Sequence, residues 1–165
     1  MVLLIIAVGV ILTVADQLLK IWAISSLEPI GSITVIENIF SLTYVENRGA
    51  AWGMMAGAKW YLIIMPIVII VAAIAYLVIK KLSDPLLLWS VMLIVSGGLG
   101  NLIDRIFRGF VVDYLHATFI DFPVFNLADC CITIGAGLMI LYVILSEIKE
   151  RKEKMLGGDK DAVNE

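Results

Sequence analysis

Six ionisable side chains stand in or beside long apolar runs: Asp16, Lys20, Asp104, Arg105, Asp113 and Asp129. An ionisable group within a bilayer costs about 2.5–3.5 kcal/mol on insertion scales, so each needs a partner or a task. Asp129 stands between LA and CCI at the start of an apolar stretch. The dipole of a helix N-terminus favours a carboxylate there, but that does not account for the apolar sequence on both sides, and Asp129 is the strongest functional candidate. Asp113, in GFVVDYLH, reads alone as either a loop acid or a functional group. Asp104 and Arg105 read as a local charge pair at a helix end. Asp16 and Lys20 are four apart, so they share a helix face and can pair. Asn47, Asn101 and Asn126 have the residue type of turns and caps, and Asn126, three before Asp129, reads as an N-cap. His116, Glu28, Glu37, Glu46 and Asp121 read as solvated loop groups.

Two aspartates from different segments meeting in one pocket point to a particular hydrolysis. Neighbouring carboxylates do not both ionise cheaply, so the pair holds one proton at working pH. The ionised member takes a proton from water and the protonated member donates to the scissile carbonyl oxygen. Such a pair titrates in two macroscopic steps, and sequence does not say which residue holds the proton. With one His and only the adjacent Cys130 and Cys131, no cluster has metal-ligand spacing, and neither metal nor cofactor is expected.

The elements that must position these groups follow from composition. Of 165 residues, 61% are hydrophobic and 16% charged, against about 45–50% and about 25% in an average soluble chain. Mean hydropathy is +1.01. A soluble domain of this size could not bury that much apolar surface. The net charge of -3 offers no basic stripe, so no nucleic-acid partner is expected. Four runs are long enough to cross a core of about 30 Å, at about 2–24, 60–79, 86–103 and 124–146. The first lacks a positive n-region and a small-x-small cleavage site before Asp16, so it reads as a retained helix rather than a signal peptide. Residues 1–148 read as one polytopic catalytic domain, and 149–165 as a charged cytoplasmic tail, a helix extension after Glu147 that frays into disorder.

Four crossings put both termini on one side. Seven of the 12 basic residues, Lys80, Lys81 and five in the tail, share that side, which makes it cytoplasmic. All six ionisable candidates then lie near the outer face. In the outer loop 25–59, ITVI (33–36) and IFSLTYV (39–45) show the period-2 pattern of strands; a small β platform and an irregular interfacial loop fit equally well. Loop 106–123 has similar composition. Trp52, Trp60, Phe110 and Tyr114 read as aromatic anchors at that level. Ser96, Gly97, Gly98, Gly100, Gly135 and Gly137 thin the helices for close packing.

Five runs, VADQLLK (14–20), VENRGAAWG (45–53), GGLGNLIDR (97–105), VVDYL (111–115) and FNLAD (125–129), resemble those of bacterial lipoprotein signal peptidase, or signal peptidase II. The resemblance covers about residues 10–145, in the family's order. It implies an all-α membrane protein of four transmembrane helices with a small extracytoplasmic β cradle, in the bacterial cell membrane. It implies an aspartic endopeptidase that removes signal peptides from prolipoproteins, cutting on the amino side of a diacylglyceryl-cysteine, with globomycin-type inhibitors as ligands and membrane lipid around it. The family's catalytic aspartates match Asp113 and Asp129. Asp16, Lys20, Asn47, Gly49, Asn101, Asp104, Arg105 and Asn126 match its other motif positions, taken to shape the pocket and hold substrate. Cys130 and Cys131 stand where a small hydroxyl residue or alanine is expected. Loop 30–58 is expected to fold over the cleft, with Arg48 near its tip as a substrate contact.

A rival reading is a small proton-coupled membrane carrier subunit, since intramembrane acids also serve as proton relays. It predicts acids spread through the membrane depth, whereas these cluster towards one side.

Overall fold

The computed structural model describes residues 1–49, 57–80 and 83–161. In chain order the elements are helix α1 (Val2–Trp22), a π-helical turn (Ala23–Leu27), strands β1 (Ser32–Ile36) and β2 (Phe40–Asn47), helices α2 (Lys59–Lys80) and α3 (Pro85–Phe107), strand β3 (Val111–Ala117) and helix α4 (Leu127–Asp161). Four helical stretches, Val2–Leu27, Lys59–Ile79, Pro85–Phe107 and Leu127–Lys154, are long and apolar enough to cross a membrane. The chain is a multi-pass membrane protein.

Helix α3 is the centre of the bundle and packs against α1, α2 and α4. Half of its spanning stretch is buried (50%), against 17% for each of the others, whose outer faces are apolar as lipid contact requires. Small residues permit the close approach. A Cβ on Gly100 would stand 2.5 Å from Asp16 Oδ2 and 3.1 Å from Ala128 Cβ, so glycine lets α1 and α4 reach α3 at the level of the polar groups. Helix α3 starts cleanly: Pro85 fits a first helical turn, and Asp84 Oδ1 accepts from the backbone N–H of Leu86 (2.9 Å) and Leu87 (3.2 Å).

The loops at one end form a three-stranded antiparallel sheet in the order β1-β2-β3, which decides between platform and irregular loop. Ser32, Thr34, Ser41, Thr43 and His116 line a polar hollow on one face. On the other side of the sheet Leu42 and Leu115 pack against Ala23, Leu27, Val112 and Tyr114 at the end of α1. The β2–β3 register slips between Leu42 and Val45, then pairs Val45 with Asp113 and Asn47 with Val111. That irregularity sets which residues of β3 meet the bundle.

One expectation changes. Tyr114 is 2% exposed, with its hydroxyl accepting from the Leu127 N–H at 3.3 Å; it is a core residue, not an interfacial anchor. Helix α4 extends to Asp161, with interspersed Glu and Lys that favour helix, including the pair Glu150–Lys154. Trp52 and residues 50–56 of the covering loop lie outside the described residues.

Candidate active site at one end of the bundle

Buried polar groups of α1, α3, β3 and α4 converge at the end of the bundle that carries the sheet. On α1, Asp16 and Lys20 sit one turn apart and pair at 2.9 Å. Lys20 is fully buried, and its ammonium also reaches Asp104 Oδ2 on α3 at 3.2 Å. Asp104 is then shared: Oδ2 accepts from the Val112 N–H (3.0 Å), which holds β3 against α3, and Oδ1 pairs with Arg108. Asp16 Oδ1 accepts from the Ala128 N–H at 2.9 Å and so ties α1 to the start of α4. Two anions, Asp16 and Asp104, and two cations, Lys20 and Arg108, balance in this layer, as buried charge requires.

Lys20 makes a third contact that leads outward. It donates to Asn101 Oδ1 at 2.9 Å, and Asn101 Nδ2 donates to Asp129 Oδ1 at 2.7 Å. The charge on Lys20 therefore fixes which way the Asn101 amide points, and that amide fixes one oxygen of Asp129. The other oxygen, Oδ2, accepts from the backbone N–H of Asn126 at 3.1 Å, while Asn126 Oδ1 accepts from the Asp129 N–H at 3.0 Å. This reciprocal pair is a capping box with Asp in place of Glu or Gln, and the expected N-cap is present.

Asn126 Nδ2 donates to Asp113 Oδ1 at 2.6 Å and also reaches Asn101 Oδ1 at 3.2 Å. Asn47 Nδ2 donates to Asp113 Oδ2 at 2.9 Å, and Asn47 Oδ1 accepts from the Gly49 N–H at 3.0 Å. Each carboxylate is thus held through both oxygens, and Asn126 is tied to both. Burial pushes the Asp113 carboxyl up to about 7, against the lowering effect of its two amide donors; the neighbouring Asp129 charge pushes it further up.

Asp113, Asp129, Asn47, Asn101 and Arg105 line one cleft of about 250 Å3, walled on its far side by the Phe122–Phe125 segment. An apolar groove of about 310 Å3 adjoins it along α4, lined by Phe122, Phe125, Cys130, Thr133 and Ile134, with Asp129 at the junction. Cys131, by contrast, is buried.

The expected Asp104–Arg105 pair does not form. Successive helical residues point about 100° apart, so Asp104 turns inward to Lys20 and Arg108, while Arg105 faces the cleft and donates to the Gly49 carbonyl at 3.1 Å. Arg48 does not line that cleft; it stands over the Phe110 ring (5.2 Å to the centroid), pairs with Glu46 at 2.7 Å and lines a neighbouring one. Sequence reasoning missed Arg108 and Gln17. Arg108 is four residues after Asp104, a spacing that marks a pair. Gln17 Nε2 donates to the Gly100 carbonyl at 3.0 Å and its Oε1 accepts from Arg108 at 3.1 Å, with no sequence signal beyond polarity. Among the described residues, no three of His, Cys, Asp and Glu converge as a metal cage.

A bundle of membrane-spanning helices that holds two carboxylates and a guanidinium against one small cleft defines a membrane-embedded enzyme. The family model described as "Signal peptidase (SPase) II" matches residues 8–145. A lipoprotein signal peptidase of Clostridium acetobutylicum is 39% identical over 150 residues, covering 89% of this chain and 96% of that protein. One of Clostridioides difficile is 42% identical over 136 residues, covering 82% and 91%. A bacterial membrane enzyme solved by the in meso method at 2.3 Å superposes with a TM-score of 0.80 at 32% identity, covering 87% of this chain and 88% of its own. The chain belongs to the signal peptidase II family and is a protease. The carrier reading gives way, and the buried acids Asp16, Asp104 and Asp113 and the half-buried Asp129 lie at one end of the bundle.

Proposed function

We propose that this protein removes signal peptides from prolipoproteins by general acid–base hydrolysis, with Asp113 and Asp129 as the catalytic pair. The observation that carries the reading is the single cleft onto which both carboxylates open, with Arg105 the cation on its wall. Two carboxylates facing one guanidinium leave one negative charge, so a single proton neutralises the set. Burial favours that proton on Asp113. Asp129 then takes a proton from the attacking water while Asp113 donates to the carbonyl oxygen of the scissile peptide, with no covalent intermediate. Asn47, Asn101 and Asn126 hold the two carboxylates; Asp16, Lys20 and Asp104 hold Asn101 and the helix ends in turn; Gly49 lets the β2 end approach Arg105.

The substrate is inferred to be cut on the amino side of a diacylglyceryl-cysteine. The apolar groove beside Asp129 supports this, since acyl chains on the cysteine need an apolar exit within reach of the carboxylates. Globomycin-type inhibitors would occupy the same cleft. Residues 1–148 serve as one catalytic unit, and the basic tail keeps both termini cytoplasmic, which puts the site near the outer face of the cell membrane.

The test is the pH dependence of cleavage of a fluorescent diacylglyceryl-cysteine peptide by purified protein in detergent with EDTA. Below about 7 Asp113 holds its proton, and above it the proton is lost. The expected kcat/KM therefore falls on the alkaline side, by about tenfold per pH unit once the acid is ionised. A profile flat to pH 9 would remove Asp113 from the acid role. Failure to cut the lipidated peptide at any pH would remove the substrate assignment.

Arg48 is proposed to act at the mouth of the site. Its side chain is 66% exposed, and its pair with Glu46, being exposed, can open to an arriving peptide. Arg48→Ala is expected to raise KM several-fold, roughly the 1 kcal/mol of an exposed charged contact, with kcat little changed. A lower kcat at constant KM is the contrary result.

A further inference from the structure

A second cleft, of about 180 Å3, opens beside the first between the start of α2 and the end of the sheet. Arg48, Lys59 and Arg105 line it, with Asn47 as a further polar wall and Leu62 and Phe110 as apolar ones. Arg105 already faces Asp113 and Asp129 across the first cleft, and among the described residues Arg48 pairs with Glu46 alone, in an exposed pair of the kind that contributes little. Lys59 makes no ion pair among the described residues, and residues 50–56, AAWGMMA, bring no charge in sequence. Lys59 and Arg48 around a small cleft, with no buried acid to balance them, make a site for an anion.

The depth of the cleft says which anion. Lys59 is the first residue of a membrane-spanning helix, and the next two, Trp60 (72% exposed) and Tyr61 (49%), are the aromatic pair that marks the headgroup level. Below them Ile64, Ile67 and Val68 face outward as acyl-chain contacts. We propose that this cleft holds the phosphodiester of an anionic phospholipid, with Lys59 and the neighbouring Arg48 on the phosphate and the acyl chains lying down the outer face of α2. The chemistry recognised is a phosphate oxyanion; the apolar helix face beneath it favours a lipid source over free phosphate. Because Asn47 and Arg105 line both clefts, the bound lipid borders the hydrolytic site. The inference concerns binding alone and stands apart from the assignment of catalytic roles.

The test is native mass spectrometry of the full-length protein released from mixed micelles of phosphatidylglycerol and phosphatidylcholine. Wild type is expected to retain phosphatidylglycerol preferentially. Lys59→Gln is expected to lower that preference about fivefold, the equivalent of one cation near a lipid phosphate, and Lys59→Arg to restore it. Lys59 is exposed at a helix start, so neither change threatens the fold. An unchanged preference in Lys59→Gln overturns the site. Inorganic phosphate at millimolar concentration is expected to leave the lipid in place; complete displacement by it would assign the cleft to free phosphate and overturn the lipid source.

Discussion

Asp113→Asn and Asp129→Asn are each expected to abolish cleavage, lowering kcat by about three orders of magnitude or more, since each removes one partner of a proton-transfer pair. The two replacements carry different structural costs. Both oxygens of Asp113 accept from side-chain amides, those of Asn47 and Asn126. Asparagine at 113 would turn one NH2 group against another, at about 1–3 kcal/mol for a donor left unsatisfied. At 129 the partners are one amide, Asn101, and one backbone N–H, Asn126. The start of α4 would loosen there as well. Thermal unfolding in the assay detergent separates lost chemistry from lost fold. Near-full activity in one folded variant would make that aspartate structural and send the search for its partner to Asp16 or Asp104.

The second large effect is expected at Lys20. It is fully buried between Asp16 and Asp104, and it also donates to Asn101. Lys20→Met keeps the bulk and removes the charge, leaving two carboxylates facing each other. Breaking a buried pair from one side costs about 3–5 kcal/mol. Adding Asp16→Asn should return part of that stability, because one unpaired charge goes with it. Activity should not return with it, since Asn101 keeps only the longer contact from Asn126 and lacks the charged donor that orients it towards Asp129. Recovery of both together would mean that Lys20 serves the fold alone.

Much of this architecture is legible in the residues. Uncharged runs of helix length give the spans, alternating Phe40, Leu42 and Tyr44 give a strand, and the Asn126–Asp129 spacing gives the cap of α4. What stays hidden is direction. Asp104 and Arg105 are adjacent in sequence, and adjacency invites a pair; the helix turns one towards Lys20 and the other into the cleft. Tyr114 reads as an interfacial aromatic until β3 pairs with β2 and buries it under the end of α1. Asn101 shows no more than polarity, because its bridging role depends on Lys20 from α1 and on Asn126 and Asp129 from the start of α4.

The bond from Ala128 N–H to Asp16 joins residues 112 apart. It closes a layer whose members come from the first helix, the last one and the strand between α3 and α4. During synthesis the ribosome releases these pieces in order, and the final aspartate arrives with the last transmembrane segment. A nascent chain with three helices inserted lacks Asp129, and of the two amides that hold Asp113 only Asn47 has been made. With Asp113 and Asp129 as the proposed catalytic pair, the protease is silent while it is being built, and completing its insertion is the event that arms it.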